Sequence, residues 1–134
     1  MTAPRRSIVA AAVVESPDGF LVTRRQKGVH LEGLWEFPGG KCEAGESLRD
    51  CLRRELREEL GVESTIGEEL AAVTHDYPEL TVELHFFACA VTGNPQALLG
   101  QAMRWVPRSE LASLKFPPAD EELIRLLAAT GYTE

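Results

Sequence analysis

A short segment with helix start and stop signals, from Ser47 to Gly61, constrains the fold of this chain more than any other feature. Ser47 can accept a hydrogen bond at a helix N-terminus, with Asp50 three residues further on, and Gly61 is of the residue type that most often ends a helix. Between them, apolar residues recur with the helical period at Leu48, Cys51, Leu52, Leu56 and Leu60. The sequence therefore predicts an amphipathic helix over Leu48–Leu60 whose apolar side packs on another layer.

The C-terminal half of this predicted helix carries three carboxylates on one side: Glu55, Glu58 and Glu59. Like charges repel there, and the C-terminal end of a helix disfavours anions by about 0.3–1 kcal/mol. Two explanations stay open. The glutamates could be solvated and paired with neighbouring arginines, as on many charged helix faces. Alternatively, they could hold a hard divalent cation such as Mg²⁺ or Mn²⁺, which takes carboxylate oxygens as ligands.

The remaining sequence predicts a mixed sheet with helices packed on it, which is an α/β fold, in one domain over residues 1–134. Ile8–Val14 and Phe20–Thr23 flank a Ser-Pro-Asp-Gly turn and predict a β-hairpin. Further strands are predicted at Leu70–Thr74, Leu80–Val91 and Met103–Val106, and a last helix at Ala119–Ala129. We find no repeats, low-complexity tracts or linkers.

Composition narrows the functional classes. No apolar run reaches the ~20 residues that span a bilayer and no signal peptide is evident, so we expect a cytoplasmic protein without a membrane partner. The three cysteines have no metal-ligand spacing and are expected to be reduced thiols. A net charge of −7 disfavours a nucleic-acid polymer but allows a small phosphorylated substrate whose binding is mediated by cations. A monomer and a homodimer both remain open.

One motif spans the glycine-rich stretch and the helix. Gly40 is followed after five residues by Glu46, then after seven by Arg54-Glu55-Leu56, with Glu58-Glu59, Gly61 and Val62 closing the pattern. This resembles the Nudix box at each of nine specified positions in a 23-residue window, which is a specific match. The resemblance implies the Nudix fold, a mixed β-sheet sandwiched between α-helices (α/β/α), over the whole chain.

The resemblance also implies roles for the motif residues. Metal ligands would be the side chains of Glu55, Glu58 and Glu59 and the backbone carbonyl of Gly39. Arg54 would hold the glutamates in orientation, and Gly40 and Glu46 would support the loop. The implied cofactor is Mg²⁺, with Mn²⁺ as a substitute, which would activate water for in-line attack on phosphorus. Glu55 is the first candidate for the general base and Glu59 the second, because Leu99 stands where relatives often carry an acid.

Two further segments, Leu34–Lys41 and Phe116–Asp120, are similar to the MutT branch, which hydrolyses (deoxy)nucleoside triphosphates to monophosphates and pyrophosphate. The similarity implies a nucleotide substrate contacted by five residues: Arg24, Phe37, Gly40, Lys41 and Asp120. Asp120 would hydrogen-bond the base. The alternatives are that Asp120 is an ordinary N-cap of the last helix and that Arg24 is a solvated strand end.

The base itself stays open between two classes. An oxidised purine such as 8-oxo-dGTP is the preferred interpretation, which would make the protein a nucleotide-pool sanitation enzyme, although Leu80 replaces a basic residue expected there. Glu83-Leu84-His85 is similar to relatives that prefer CTP or modified pyrimidine nucleotides. A noncatalytic nucleotide-sensing module is the alternative of another class, but such modules usually lose the box glutamates, which this chain keeps.

Overall fold

The computed structural model describes residues 5–26, 28 and 32–129. Lys27 and His30 lie outside the described residues. The described strands are β1 (Arg5–Ser16), β2 (Gly19–Arg24), β3 (Trp35–Glu36), β4 (Gly39–Lys41), β5 (Glu63–Tyr77), β6 (Leu80–Thr92) and β7 (Met103–Val106). The helices are α1 (Leu48–Leu60) and α2 (Glu121–Ala129), and 3₁₀ turns cover Arg108–Ser113 and Pro118–Asp120.

The strands form a mixed sheet in the order β3-β2-β1-β6-β5. β1 runs parallel to β6 from the pair Arg5/Leu80 to the pair Val14/Cys89, whereas β5 and β6 form a long antiparallel hairpin. β4 pairs with β1 and β7 pairs with β2, both antiparallel. The predicted hairpin at the start of the chain is confirmed as β1 and β2.

Each face of β1 packs against a different helix, because successive side chains of a strand point to opposite faces. Ala11 and Val13 belong to the core that contains α2 and the Arg108–Ser113 turn. Ala10, Ala12 and Val14 belong to the core that contains the leucines of α1. The sheet is therefore sandwiched between helices, and the predicted α/β/α architecture is confirmed.

The structure differs from the sequence prediction mainly in β5, in the short strands β3 and β4, and at the start of the last helix. β5 covers Glu63–Tyr77 rather than Leu70–Thr74. It lies at the sheet edge and carries exposed acidic residues, and its register with β6 is irregular between Ile66 and Ala71. Both features hide the alternation of apolar residues that predicts a strand. The short strands β3 and β4 lie within the glycine-rich stretch and were not predicted. The last helix begins at Glu121 instead of Ala119, because the preceding residues form a 3₁₀ turn.

The three cysteines are free thiols, as expected. Within the described residues, no helix has the length and apolar character needed to cross a membrane.

Candidate active site

Helix α1 begins and ends where its sequence signals predict. The Ser47 hydroxyl accepts a hydrogen bond from the Asp50 amide at 3.1 Å, and Gly61 takes the left-handed conformation (φ 68°) while its N–H donates to the Arg57 carbonyl. The segment after β6 satisfies the last carbonyls, because the Leu98 N–H donates to Glu59 O and the Gln96 N–H donates to Leu60 O. The turn of α1 that carries the glutamates is thus held from outside the helix.

Arg54 joins this helix to the glycine-rich loop. Its guanidinium makes a bidentate ion pair with Glu46 at 2.7 and 2.9 Å and donates to the Lys41 carbonyl at 3.1 Å. The Nη1 atom also contacts Glu55 at 3.0 Å and Glu58 at 3.3 Å. The hydrogen bond from Arg54 lowers the pKa of Glu46 to about 2, so that carboxylate stays ionised. Arg54 therefore contacts three acids of the motif at once.

Glycine is required at positions 39 and 40, because neighbouring atoms lie too close to the backbone there to admit a side chain. A Cβ on Gly40 would lie 2.3 Å from the carboxyl carbon of Glu55, and a Cβ on Gly39 would lie 2.1 Å from the Ala10 carbonyl oxygen. The loop backbone therefore lies directly against the Glu55 carboxylate on one side and against β1 on the other. Any larger residue at position 40 would displace Glu55.

Glu59 carries the most perturbed carboxyl of the motif. It is only 8% exposed, and burial, followed by the Glu36 and Glu55 carboxylates, raises its pKa from 4.5 to about 8. Burial likewise raises the pKa of Glu55, against the lowering effect of Arg54. The site gathers more negative charge than its environment stabilises, which is the situation that a bound cation would relieve.

Two neighbouring cavities adjoin these residues. The larger, about 350 Å³, includes four residues predicted to bind substrate, Phe37, Gly40, Lys41 and Asp120, together with Gly39. The smaller, about 180 Å³, lies beside Glu59 and is also lined by Thr23, Arg24, Leu99 and Gln101. Leu99, 57% exposed, is therefore at the mouth of the site.

An ion pair that the sequence analysis missed separates the two cavities. Arg25 contacts Glu36 at 2.7 Å, and both side chains line both cavities. Burial, the largest cause, raises the pKa of Glu36 against the effect of Arg25. These residues could not be found from local patterns, because β2–β3 pairing brings them together. Tyr77, the last residue of β5, also lines the larger cavity.

Asp120 and Arg24 are placed differently from each other. Asp120 is 3% exposed in the larger cavity, where burial and then the Glu36 carboxylate raise its pKa to about 7. It ends the 3₁₀ turn directly before α2 and lines the wall of the larger cavity. Arg24 reaches only the smaller cavity, and its guanidinium lies 5.9 Å from the ring centre of Trp35.

The Glu83-Leu84-His85 segment contributes one side chain to the larger cavity, Leu84. His85 instead lies between two carboxylates, with Nδ1 2.9 Å from Glu69 and Nε2 2.9 Å from Glu83. Burial lowers the pKa of His85, but these two hydrogen bonds outweigh it and raise the pKa above 6.5. Glu83 and His85 are absent from the linings of both described cavities.

The described residues contain no group of three or more His, Cys, Asp or Glu side chains arranged to hold a metal ion. The guanidinium of Arg54, rather than a cation, contacts the carboxylates of Glu55 and Glu58. The chemistry of the site nevertheless fits a hard divalent cation. Two carboxyls have raised pKa values, and the buried hydroxyl of Thr23 lacks a hydrogen-bond partner among the described residues. Glu55, Glu58, Glu59 and the Gly39 carbonyl could supply its ligands.

Comparison with known proteins agrees with this geometry. The family model described as the NUDIX domain matches residues 9–126. The chain is 38% identical over 122 residues to the CTP pyrophosphohydrolase of Escherichia coli, covering 90% of each protein. It is 35% identical over 125 residues to the 8-oxo-dGTP diphosphatase of Haemophilus influenzae, covering 91% of this chain and 92% of that protein. The solution structure of the E. coli ORF135 protein superimposes with a TM-score of 0.82 at 35% identity, covering 98% of this chain and 96% of that one.

A box helix with capped ends, glycines that admit the Glu55 carboxylate, and a match over most of the chain point to one conclusion: this protein belongs to the Nudix family and is a MutT-like Nudix hydrolase.

Proposed function

We propose that this enzyme hydrolyses (deoxy)nucleoside triphosphates to nucleoside monophosphate and pyrophosphate, with 8-oxo-dGTP as the preferred substrate. The observation that carries the proposal is the larger cavity, because it connects the box loop at Gly39–Lys41 with the buried carboxyl of Asp120. A nucleotide could thus place its phosphates beside the glutamates of α1 and its base beside Asp120. Removing oxidised nucleotides from the pool is the role that we assign to this activity.

The residues of α1 divide the work at the phosphate end. Nudix hydrolases generally use a divalent metal, and we propose Mg²⁺, with Mn²⁺ as a substitute. Glu55, Glu58, Glu59 and the Gly39 carbonyl would hold it, and the bound ion would neutralise phosphate charge and lower the pKa of a water. Arg54 keeps Glu46, Glu55 and Glu58 within reach of one guanidinium. Glu55 is our first candidate for the general base and Glu59 the second, since burial raises the pKa of each carboxyl and makes it a stronger proton acceptor.

At the base end, the protonation of Asp120 supports selection of the oxidised base. With a pKa of about 7, its carboxyl is partly protonated at neutral pH and then presents a donor and an acceptor side by side. The O6–N7 edge of 8-oxoguanine is complementary to this protonated carboxyl, because its O6 accepts a hydrogen bond and its N7–H donates one. Unmodified guanine offers two acceptors, O6 and N7, on the same edge. On this O6–N7 edge, protonated Asp120 therefore makes both hydrogen bonds only with the oxidised form.

CTP is the second candidate substrate, and one specific finding favours it. The chain is 38% identical to a protein named CTP pyrophosphohydrolase, over 90% of each chain. Cytosine also fits a protonated carboxyl, because its N4 amino group donates and its N3 accepts. The described segment that suggested pyrimidines from the sequence lends only Leu84 to the cavity, so that segment does not by itself decide the base.

The test is a steady-state panel in Mg²⁺ with 8-oxo-dGTP, dGTP, CTP, 5-methyl-dCTP and ADP-ribose, scored by kcat/KM. Phosphorus NMR of the products separates pyrophosphate release from orthophosphate release. We expect pyrophosphate, with the highest kcat/KM for 8-oxo-dGTP. A higher value for CTP would select the second candidate. Absence of hydrolysis across the panel, with Mn²⁺ also tried, would overturn the proposal in favour of a nucleotide-sensing module.

A further inference from the structure

Two hydroxyl groups in the described part of the chain are buried without a hydrogen-bond partner: Thr23 Oγ1 and Ser64 Oγ. Burial of a polar group without a partner costs free energy, so each such group calls for an explanation. Valine would fill the space of Thr23 without that cost and is well suited to a strand. The two hydroxyls differ in their surroundings, and the difference points to a role for one of them.

Thr23 faces the catalytic helix. It follows Leu21 by two residues on β2, so both side chains point to the α1 face of the sheet, where Leu21 packs in the core containing α1. Thr23 pairs with Glu36 on β3 and with Met103 on β7, which places it inside the sheet, and it is only 1% exposed. Its side chain lines the smaller cavity.

The smaller cavity joins this hydroxyl to Glu59. Both side chains line it, together with Glu36 and the buried amide of Gln101. Although Thr23 and Glu59 line the same cavity, the Thr23 hydroxyl makes no hydrogen bond to Glu59 or to any other described residue. Ser64, by contrast, lies on β5 opposite Val91 and lines neither cavity.

We propose that Thr23 is a positioning residue of the active site, whose hydroxyl donates a hydrogen bond to the Glu59 carboxylate in the substrate-loaded enzyme. The bond would fix which carboxylate oxygen of Glu59 turns toward the phosphates. The inference rests on the proposed function insofar as that function makes Glu59 a ligand of the catalytic cation. It assigns to a strand residue outside the Nudix box a part in arranging the box.

The experiment compares two substitutions that differ in one group. Thr23→Val keeps the shape and removes the hydroxyl, whereas Thr23→Ser keeps the hydroxyl and removes the methyl. We expect Thr23→Val to lower kcat by about 10- to 100-fold, the usual effect of losing a partner of a metal ligand, with KM for the nucleotide little changed. Thr23→Ser should stay close to the wild-type kcat. The Tm of Thr23→Val should be unchanged or higher, because an unpartnered hydroxyl is removed.

Ser64→Ala is the matched control, since it removes the other buried hydroxyl at a distance from both cavities. Its Tm should be unchanged or higher and its kcat unchanged. A second readout needs no turnover: the binding of Mn²⁺ alone, followed by the EPR signal of free Mn²⁺, should weaken in Thr23→Val and not in Thr23→Ser.

Wild-type kcat and Mn²⁺ binding in Thr23→Val would overturn the proposal. So would equal losses in Thr23→Val and Thr23→Ser, because packing rather than the hydroxyl would then be responsible. If the wild-type protein hydrolyses no nucleoside triphosphate, the proposed function fails, but the Mn²⁺ comparison still decides the role of Thr23.

Discussion

Replacing Glu59 by glutamine should stabilise the metal-free protein while abolishing most of its activity. Burial raises the pKa of Glu59 from 4.5 to about 8, so ionising it in the folded state is costly. At pH 7.5 the carboxyl would be ionised in the unfolded chain and mostly protonated in the folded one, so about three units, from the unfolded pKa of 4.5 up to pH 7.5, count toward the stability difference. With about 1.4 kcal/mol per unit, the folded protein loses about 4 kcal/mol that Glu59→Gln would recover.

The sign of this effect gives a pH signature. Because the folded state holds the proton more tightly than the unfolded state, the contribution of Glu59 to stability falls as pH rises from about 4.5 to about 8. Glu59→Gln removes this part of the pH dependence. Thermal unfolding in EDTA should therefore show a Tm gain on the order of 10 °C at pH 7.5 and little gain at pH 4.5.

Added Mg²⁺ should reduce the difference, since a cation at the site stabilises the ionised wild-type carboxylate and not the amide. In the same preparations, kcat should fall by about 100-fold or more in Glu59→Gln. Glu58→Gln is the matched control for stability: its side chain is 61% exposed, so its Tm should change by no more than about 2 °C. A Tm of Glu59→Gln equal to or below the wild type in EDTA at pH 7.5 would refute the reasoning.

Three further changes test other parts of the site. Asp120→Asn should keep hydrolysis of 8-oxo-dGTP but abolish the decline of activity above pH 7, because an amide presents a donor and an acceptor at every pH. Profiles of kcat/KM against pH check this. Glu122→Gln, at an exposed position, is the control. Gly40→Ala should lower kcat strongly and Tm only slightly, because the added Cβ would displace the Glu55 carboxylate. A fall in Tm without a fall in kcat would contradict this. His85→Gln should remove a contribution to the free energy of unfolding that is present below pH 6.5 and lost as pH rises through the raised pKa of this histidine. Urea unfolding at pH 5.5 and 8.5 measures this contribution. An equal loss of stability at both pH values would argue against the ion pairs.

Local sequence signals were sufficient to predict α1, the helix that carries the glutamates of the Nudix box. The start of α1 at Leu48 and its end at Leu60 follow from Ser47, Gly61 and the period of the leucines between them, all within one short segment. The hairpin of β1 and β2 is equally local, since its turn residues adjoin its strands. The box glutamates and the Nudix family were therefore accessible from the sequence alone.

The sequence did not reveal the residues that surround the glutamates. Thr23 and Glu36 meet only because β2 pairs with β3, and Arg25 meets Glu36 for the same reason. In sequence, Arg25 is indistinguishable from its neighbour Arg24, which reaches only the smaller cavity. Strand pairing between segments separated along the chain, rather than any local pattern, selects which of two like residues lines the larger cavity.

Sequence by itself thus determined the family, the helix of the Nudix box and the acidic character of the candidate site, because capping, helical period and motif spacing are properties of neighbouring residues. Tertiary structure alone decided how those acids behave. Burial, followed by the Glu36 and Glu55 carboxylates, raises the pKa of Glu59, and burial, followed by Glu36, raises the pKa of Asp120. Desolvation depends on what packs around a carboxyl, and that is set by contacts between residues far apart in the chain.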